Sequence, residues 1–166
     1  MILANRPTLS LAAVALGDRF VLRLPKKRKD TPMAITGRCF CGAVTFTCDE
    51  PPVMTRTCWC RDCRYLASGN ATVNAVFKAE GVKVTGQVSE YRSTADSGNA
   101  MRRSFCPRCG TPLFSAADSR PHLLIIRTGA LDDQELARPS ANIWTASAPS
   151  WACMDASLPK TEGQPG

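Results

Sequence analysis

Histidine is almost absent, with His122 the single example in 166 residues. A two- or three-histidine zinc site is thereby excluded, and a Cys-His or Ser-His-Asp nucleophile would depend on His122 alone. That residue follows Pro121 just before an apolar run, the setting of an exposed loop histidine. Long apolar runs are missing too. The best one, 9–17, falls far short of the roughly 20 residues that span a bilayer. Its positive charges follow it instead of preceding it, and no convincing small-residue cleavage site ends it, which argues against a secretory signal. No membrane segment is expected, and the cytoplasm is the default compartment. A Walker loop, a dinucleotide glycine fingerprint and a zinc-deaminase signature are also lacking, so nucleotide chemistry has no support.

The net charge of +7 is not spread evenly. Residues 1–32 hold seven basic groups against two acidic ones, leaving 14 against 12 in the remainder. The basic character is therefore local, centred on Lys26-Lys27-Arg28-Lys29, and argues against nucleic acid as a partner of the rest of the chain. Residues 1–32 read as a basic extension, disordered or a mis-assigned start with Met33 as the biological one. A domain is expected over 33–160, with 161–166 as a fraying tail.

Apolar residues at 44% and charged residues at 21% are those of a folded globular chain, and the length suits one domain. After Met33 short β-branched and aromatic runs alternate with turn formers. Strands are expected over 42–47, 71–77 (Val73, Ala75 and Phe77 on one face), 101–105 and 123–127, with a hairpin over 82–91 around Gly86-Gln87. Residues 61–67 allow one or two helical turns, and the Pro- and Ser-rich end should wrap as irregular chain. The expected class is mainly β, mostly antiparallel, with little helix.

What the sequence has in abundance is cysteine, nine in all. Seven fall in three tight clusters: Cys39-Phe40-Cys41, Cys58-Trp59-Cys60-Arg61-Asp62-Cys63, and Cys106-Pro107-Arg108-Cys109-Gly110. A reducing compartment argues against disulfides, and C-x-C pairs bridge poorly. Closely spaced thiolates repel unless a cation compensates them, so metal sites account for the pattern better. C-P-x-C-G is a zinc-knuckle pattern supplying two ligands, its glycine permitting a positive φ. Cys39 and Cys41 are the nearest complete pair, and together the four make a closed, structural Cys₄ site. Cys58, Cys60 and Cys63 offer only three thiolates, and a position left free is the mark of a catalytic zinc. Such an ion binds an exogenous thiol and lowers its pKa. Alternatively Cys48 or Cys153 closes that site as a second structural zinc; otherwise both are small apolar groups. Arg61, Asp62 and Arg64 flank the cluster, either as a site for a carboxylate-bearing thiol or as solvated surface charge.

In order along the chain, Gly37-Arg38-Cys39-Phe40-Cys41-Gly42-Ala43-Val44, then Cys58-x-Cys60-x-x-Cys63, then Phe105-Cys106-Pro107-Arg108-Cys109-Gly110-Thr111-Pro112-Leu113 resemble the glutathione-dependent formaldehyde-activating enzyme family, which includes centromere protein V. Gly129-Ala130-Leu131-Asp132-Asp133, Ile143-Trp144, Trp151, Asp155 and Pro159 continue the match, so it covers about 33–159. The resemblance implies compact twisted antiparallel sheets stabilised by cysteine-bound zinc, with two zinc ions per chain. It assigns Cys39, Cys41, Cys106 and Cys109 to a structural zinc, and Cys58, Cys60 and Cys63 to a catalytic one. It implies a carbon-sulfur lyase with glutathione and an aldehyde as partners, adding the thiol to formaldehyde to give S-hydroxymethylglutathione without a redox cofactor. Members commonly carry histidine between the first two cysteines of the second cluster; here Trp59 stands there, able to wall a substrate pocket but not to relay a proton. A reading from another class is a non-catalytic zinc-stabilised module that binds protein or nucleic acid.

Overall fold

The computed structural model describes residues 34–165, so the expectations placed on residues 1–32 lie outside the described part. In chain order the elements are β1 (Ile35–Arg38), β2 (Thr45–Cys48), β3 (Met54–Cys58), α1 (Arg61–Leu66), β4 (Thr72–Lys78), β5 (Val82–Thr85), β6 (Ser89–Thr94), β7 (Ala100–Phe105), β8 (Pro112–Ala117), β9 (Leu123–Arg127), β10 (Ala141–Ile143) and β11 (Lys160–Thr161). They form a three-stranded sheet, β1-β2-β5, and an eight-stranded one, β11-β10-β3-β4-β9-β8-β7-β6. The fold is mainly β, as expected.

The sheets pack through alternate residues. From the small sheet, Phe46 meets Phe114 of the large one edge to face, ring centroids 5.3 Å apart. Ala75, Phe77, Leu113 and Ile126 complete a dry layer around them. A fully buried phenylalanine contributes about 2 kcal/mol by area alone. β4 and β9 each give one face to this core. Their other face, with Thr72, Asn74 and Val76 on β4 and Ile125 and Arg127 on β9, is turned away from it and lines a cavity or packs beside it.

Three sequence expectations change. The hairpin over 82–91 does not form: β5 pairs with β2, while β6 pairs with β7 in the other sheet. Gly86 makes the switch between sheets, with φ +97° and its backbone so close to Ala43 that a Cβ would lie 2.2 Å from that carbonyl oxygen. The strand expected from residue 42 starts at Thr45, because Cys39 to Val44 is folded into a turn closed by Cys39 N–H to Val44 O at 2.9 Å. The C-terminal stretch is not wholly irregular, since β10 pairs in parallel with both β3 and β11. Beyond β11 the chain stays tied, Trp144 N–H donating to Gly163 O at 3.2 Å. Among the described residues, no helix is long and apolar enough to cross a membrane.

Candidate metal centres

Two turns bring four cysteines together. In the first, Gly42 N–H donates to Cys39 O at 3.0 Å; in the second, Gly110 N–H donates to Cys106 O at 2.9 Å, with Gly110 at φ +71° as the C-P-x-C-G pattern requires. The sulfurs of Cys39, Cys41, Cys106 and Cys109 lie within 4.8 Å of one another. Cys39 to Cys41 is 3.6 Å and Cys41 to Cys106 is 3.8 Å. A disulfide needs about 2.05 Å, whereas four sulfurs at about 2.3 Å from a common ion stand about 3.8 Å apart. The donor set therefore fits a tetrahedral metal ion and is consistent with zinc. Backbone and hydroxyl groups support the anionic form. Val44 N–H points at Cys39 Sγ from 3.2 Å. The Thr111 hydroxyl and backbone N–H hold the Cys109 thiol down at about 5.

The second group is built by the end of β3 and the start of α1. Cys58 closes the strand, Cys60 is the N-cap of the helix with its sulfur 3.5 Å from Cys63 N, and Cys63 sits in the first turn. Their sulfurs also lie within 4.8 Å of one another. Neither Cys48 nor Cys153 belongs to either group: Cys48 is buried on β2 and Cys153 is exposed near the C-terminus. Three thiols this close cannot share negative charge without a cation. Hydrogen bonds from the Cys58 and Cys60 thiols drive the Cys63 thiol well below its ordinary range, with Arg127 and Thr72 assisting. Cys60 and Cys63 push Cys58 far above it.

The two groups differ in what they face. Cys58, Cys60 and Cys63 line a cavity of ≈ 1040 Å³, open mouth included, and no cysteine of the four-sulfur group lines it. The floor is the exposed-side face of the large sheet. Asn74 Nδ2 lies 3.8 Å from Cys63 Sγ and donates to Thr72 Oγ1 at 3.0 Å. Arg127 donates to Asn74 Oδ1, and to Ser115 Oγ at 2.8 Å. These partners are neutral, so the guanidinium, 9% exposed, carries a buried positive charge beside the three thiols. Arg103 pairs with Asp62 at 2.5 Å across the cavity wall, and Arg56 and Arg120 add further cationic lining.

Sequence reasoning missed Asn74, Ser115 and Arg127, although each is a polar residue inside a strand that is otherwise largely apolar. Of the flanking charges it named, Asp62 lines the cavity, Arg61 lies over the Tyr65 ring at 3.9 Å, and Arg64 donates to Trp59 O at 3.2 Å. Trp59 does not wall the pocket. It is 2% exposed and turned into the interior, its Nε1 without a partner, while Trp144 takes a place in the cavity lining. His122 is exposed in the loop before β9, as expected.

A mainly β chain with one four-sulfur cluster, plus a three-sulfur cluster opening on a cationic cavity, has the donor groups of a thiolate-metal protein. The chain belongs to the glutathione-dependent formaldehyde-activating enzyme family, whose sequence profile it matches over residues 34–147. A search of the curated proteins finds no match. Among solved structures it is similar to the crystal structure of a Rhodobacter sphaeroides protein, a structural-genomics target, at 20% identity over 63% of this chain and 96% of that one, with a TM-score of 0.49. That likeness is too distant to carry an argument about either cluster.

Proposed function

We propose that the protein is a zinc-dependent carbon-sulfur lyase that adds a thiol, glutathione in the family's name-giving reaction, to the carbonyl carbon of formaldehyde or a related aldehyde. The observation that carries this reading is the contrast between the clusters: the three-sulfur group lines the cavity and the four-sulfur group does not. Cys39, Cys41, Cys106 and Cys109 are then the ligands of a structural zinc, and Cys58, Cys60 and Cys63 those of a catalytic one. When bound, zinc at the open cluster holds an incoming thiol as its thiolate at neutral pH. The chain's own residues do the rest. Asn74 orients Cys63, as outer-shell donors orient metal ligands. Arg127 sets a buried positive charge against the excess negative charge of three thiolates and against a carbonyl oxygen that becomes negative as the sulfur attacks. Arg56 and Arg120 suit the carboxylates of a peptide-like thiol. The thiol's proton ends on the former carbonyl oxygen, so no oxidant or reductant enters.

The test combines metal content with exchange-spectroscopy NMR of the formaldehyde and glutathione equilibrium. Two zinc ions per chain, acceleration over background and its loss in Cys60→Ser support the reading. No acceleration, with both zincs inert and each bound by four sulfurs, would overturn it and leave a zinc-stabilised binding module.

A further inference from the structure

The sheet face beneath the cavity changes character along its strands. At the cluster end it is polar, with Asn74 paired across the sheet with Arg127 and Ser115 bonded to the same guanidinium. One step along, Val76 stands opposite Ile125, and Met54 on β3 stands opposite Val76. Leu123 and Met101 extend this apolar patch. None of these five side chains is buried, although Ala75, Phe77 and Ile126 on the other face of the same strands are 0–2% exposed. From Cys58 to Met54 is four residues along one strand, roughly 13 Å at about 3.3 Å per residue. The floor thus passes from a polar step beside the three thiols, where Arg56 of β3 joins Asn74, Arg127 and Ser115, to an apolar track at its far end.

Formaldehyde has no hydrocarbon to lay on such a track. Glutathione would leave amides and carboxylates facing it unsatisfied, and the polar rim formed by loop 95–99 and Arg120 serves that body better. We propose that the carbonyl substrate of this protein carries a hydrocarbon tail of about ten carbons, long enough to span the roughly 13 Å from the cluster to Met54, and that Met54, Val76, Met101, Leu123 and Ile125 receive its far end. The proposal rests on the thiol-addition reading above. In the step itself a sulfur–carbon bond forms, the carbonyl π pair moves to oxygen, and the thiol proton follows it there.

The test uses two inert thioethers, S-methylglutathione and S-decylglutathione, bound to the zinc-loaded full chain and measured by titration calorimetry. Burying several methylenes should make the decyl compound at least about tenfold tighter. Met54→Lys, at a position already 36% exposed and so tolerant of charge, should reduce that ratio at least about fivefold by placing an ammonium on the track. Equal affinities for the two thioethers would overturn the proposal while leaving thiol addition standing. Failure of both to bind would count against the thiol-addition reading and remove the proposal with it.

Discussion

Asn74 Nδ2 faces Cys63 Sγ across 3.8 Å, while its Oδ1 accepts from the buried guanidinium of Arg127. One amide thus couples the three-sulfur cluster to the only charged group on the polar part of the sheet floor among β4, β8 and β9. Replacing it by leucine, which keeps the branching and heavy-atom count, removes both contacts without opening a void. We expect Asn74→Leu to lower metal affinity at that cluster by about 10–100-fold, the usual effect of losing an outer-shell partner. Competition with a chromophoric chelator measures it, and the four-sulfur site should be unchanged. Equal weakening of both sites would mean that Asn74 serves the fold and not the cluster.

The two clusters should respond oppositely to loss of a sulfur. Cys106 is 0% exposed and joins segments 65 residues apart, so on the two-zinc reading Cys106→Ser removes a cross-link of the fold along with an ion. Metal binding of this kind is folding free energy, and we expect the cooperative thermal transition of Cys106→Ser to be lost or lowered by more than about 10 °C, since each kcal/mol shifts a domain of this size by about 2–8 °C. Cys60 is only half-buried at a helix cap. Its serine variant should keep its transition within about 5 °C while losing the second metal and the thiol-addition activity. Calorimetry beside metal analysis separates the two.

The cysteine clusters were legible because ligand spacing is a local property: C-x-C, C-x-C-x-x-C and C-P-x-C-G carry their geometry in a few adjacent residues. The cavity was not, because it exists only through register. Asn74 meets Arg127 because β4 pairs with β9 at that step, and nothing near either residue announces it. β3 was missed for a related reason. Met54-Thr55-Arg56-Thr57-Cys58 has little apolar alternation, and it is a strand because β4 and β10 bond to both its edges. The misplaced hairpin at Gly86 shows that a glycine turn marks a change of direction without saying which sheet receives the next strand. Trp59 was misjudged because neighbours in sequence on a strand-to-helix turn point apart: Cys58 and Cys60 face the cavity and Trp59 the interior.

The change of sheet at Gly86 should be among the most demanding backbone positions. Its φ of +97° and the clash that a Cβ would make with Ala43 O apply together, so an added methyl meets both a left-handed penalty and a backbone atom that cannot swing aside. Gly86→Ala is expected to cost at least about 2 kcal/mol in urea unfolding of the metal-loaded protein. Gly129→Ala, where a Cβ would meet nothing within 4 Å, should stay within about 0.5 kcal/mol. If the two variants unfold together, the sheet switch is not held by this turn.

Cys48 supplies a pH test that involves neither metal cluster. It lies on β2 with Ile35 and Val82 as cross-strand partners, and burial, with Asp49 adding repulsion, pushes its thiol from 9.0 up to about 11. The unfolded chain begins to release that proton near pH 9, while the folded chain keeps it to about pH 11. Ionisation therefore favours unfolding over that interval, and the stability Cys48 contributes is complete below pH 9 and lost as pH rises through 11. Cys48→Val has no proton to lose and is larger by about one methyl group, a packing cost that does not vary with pH. The wild type should thus lose ground to the variant between pH 9 and 11 in urea midpoints taken at fixed zinc, whichever protein is the more stable at pH 8. A gap that stays constant across that range would show that Cys48 ionises alike in both states and that β2 admits water to its sulfur.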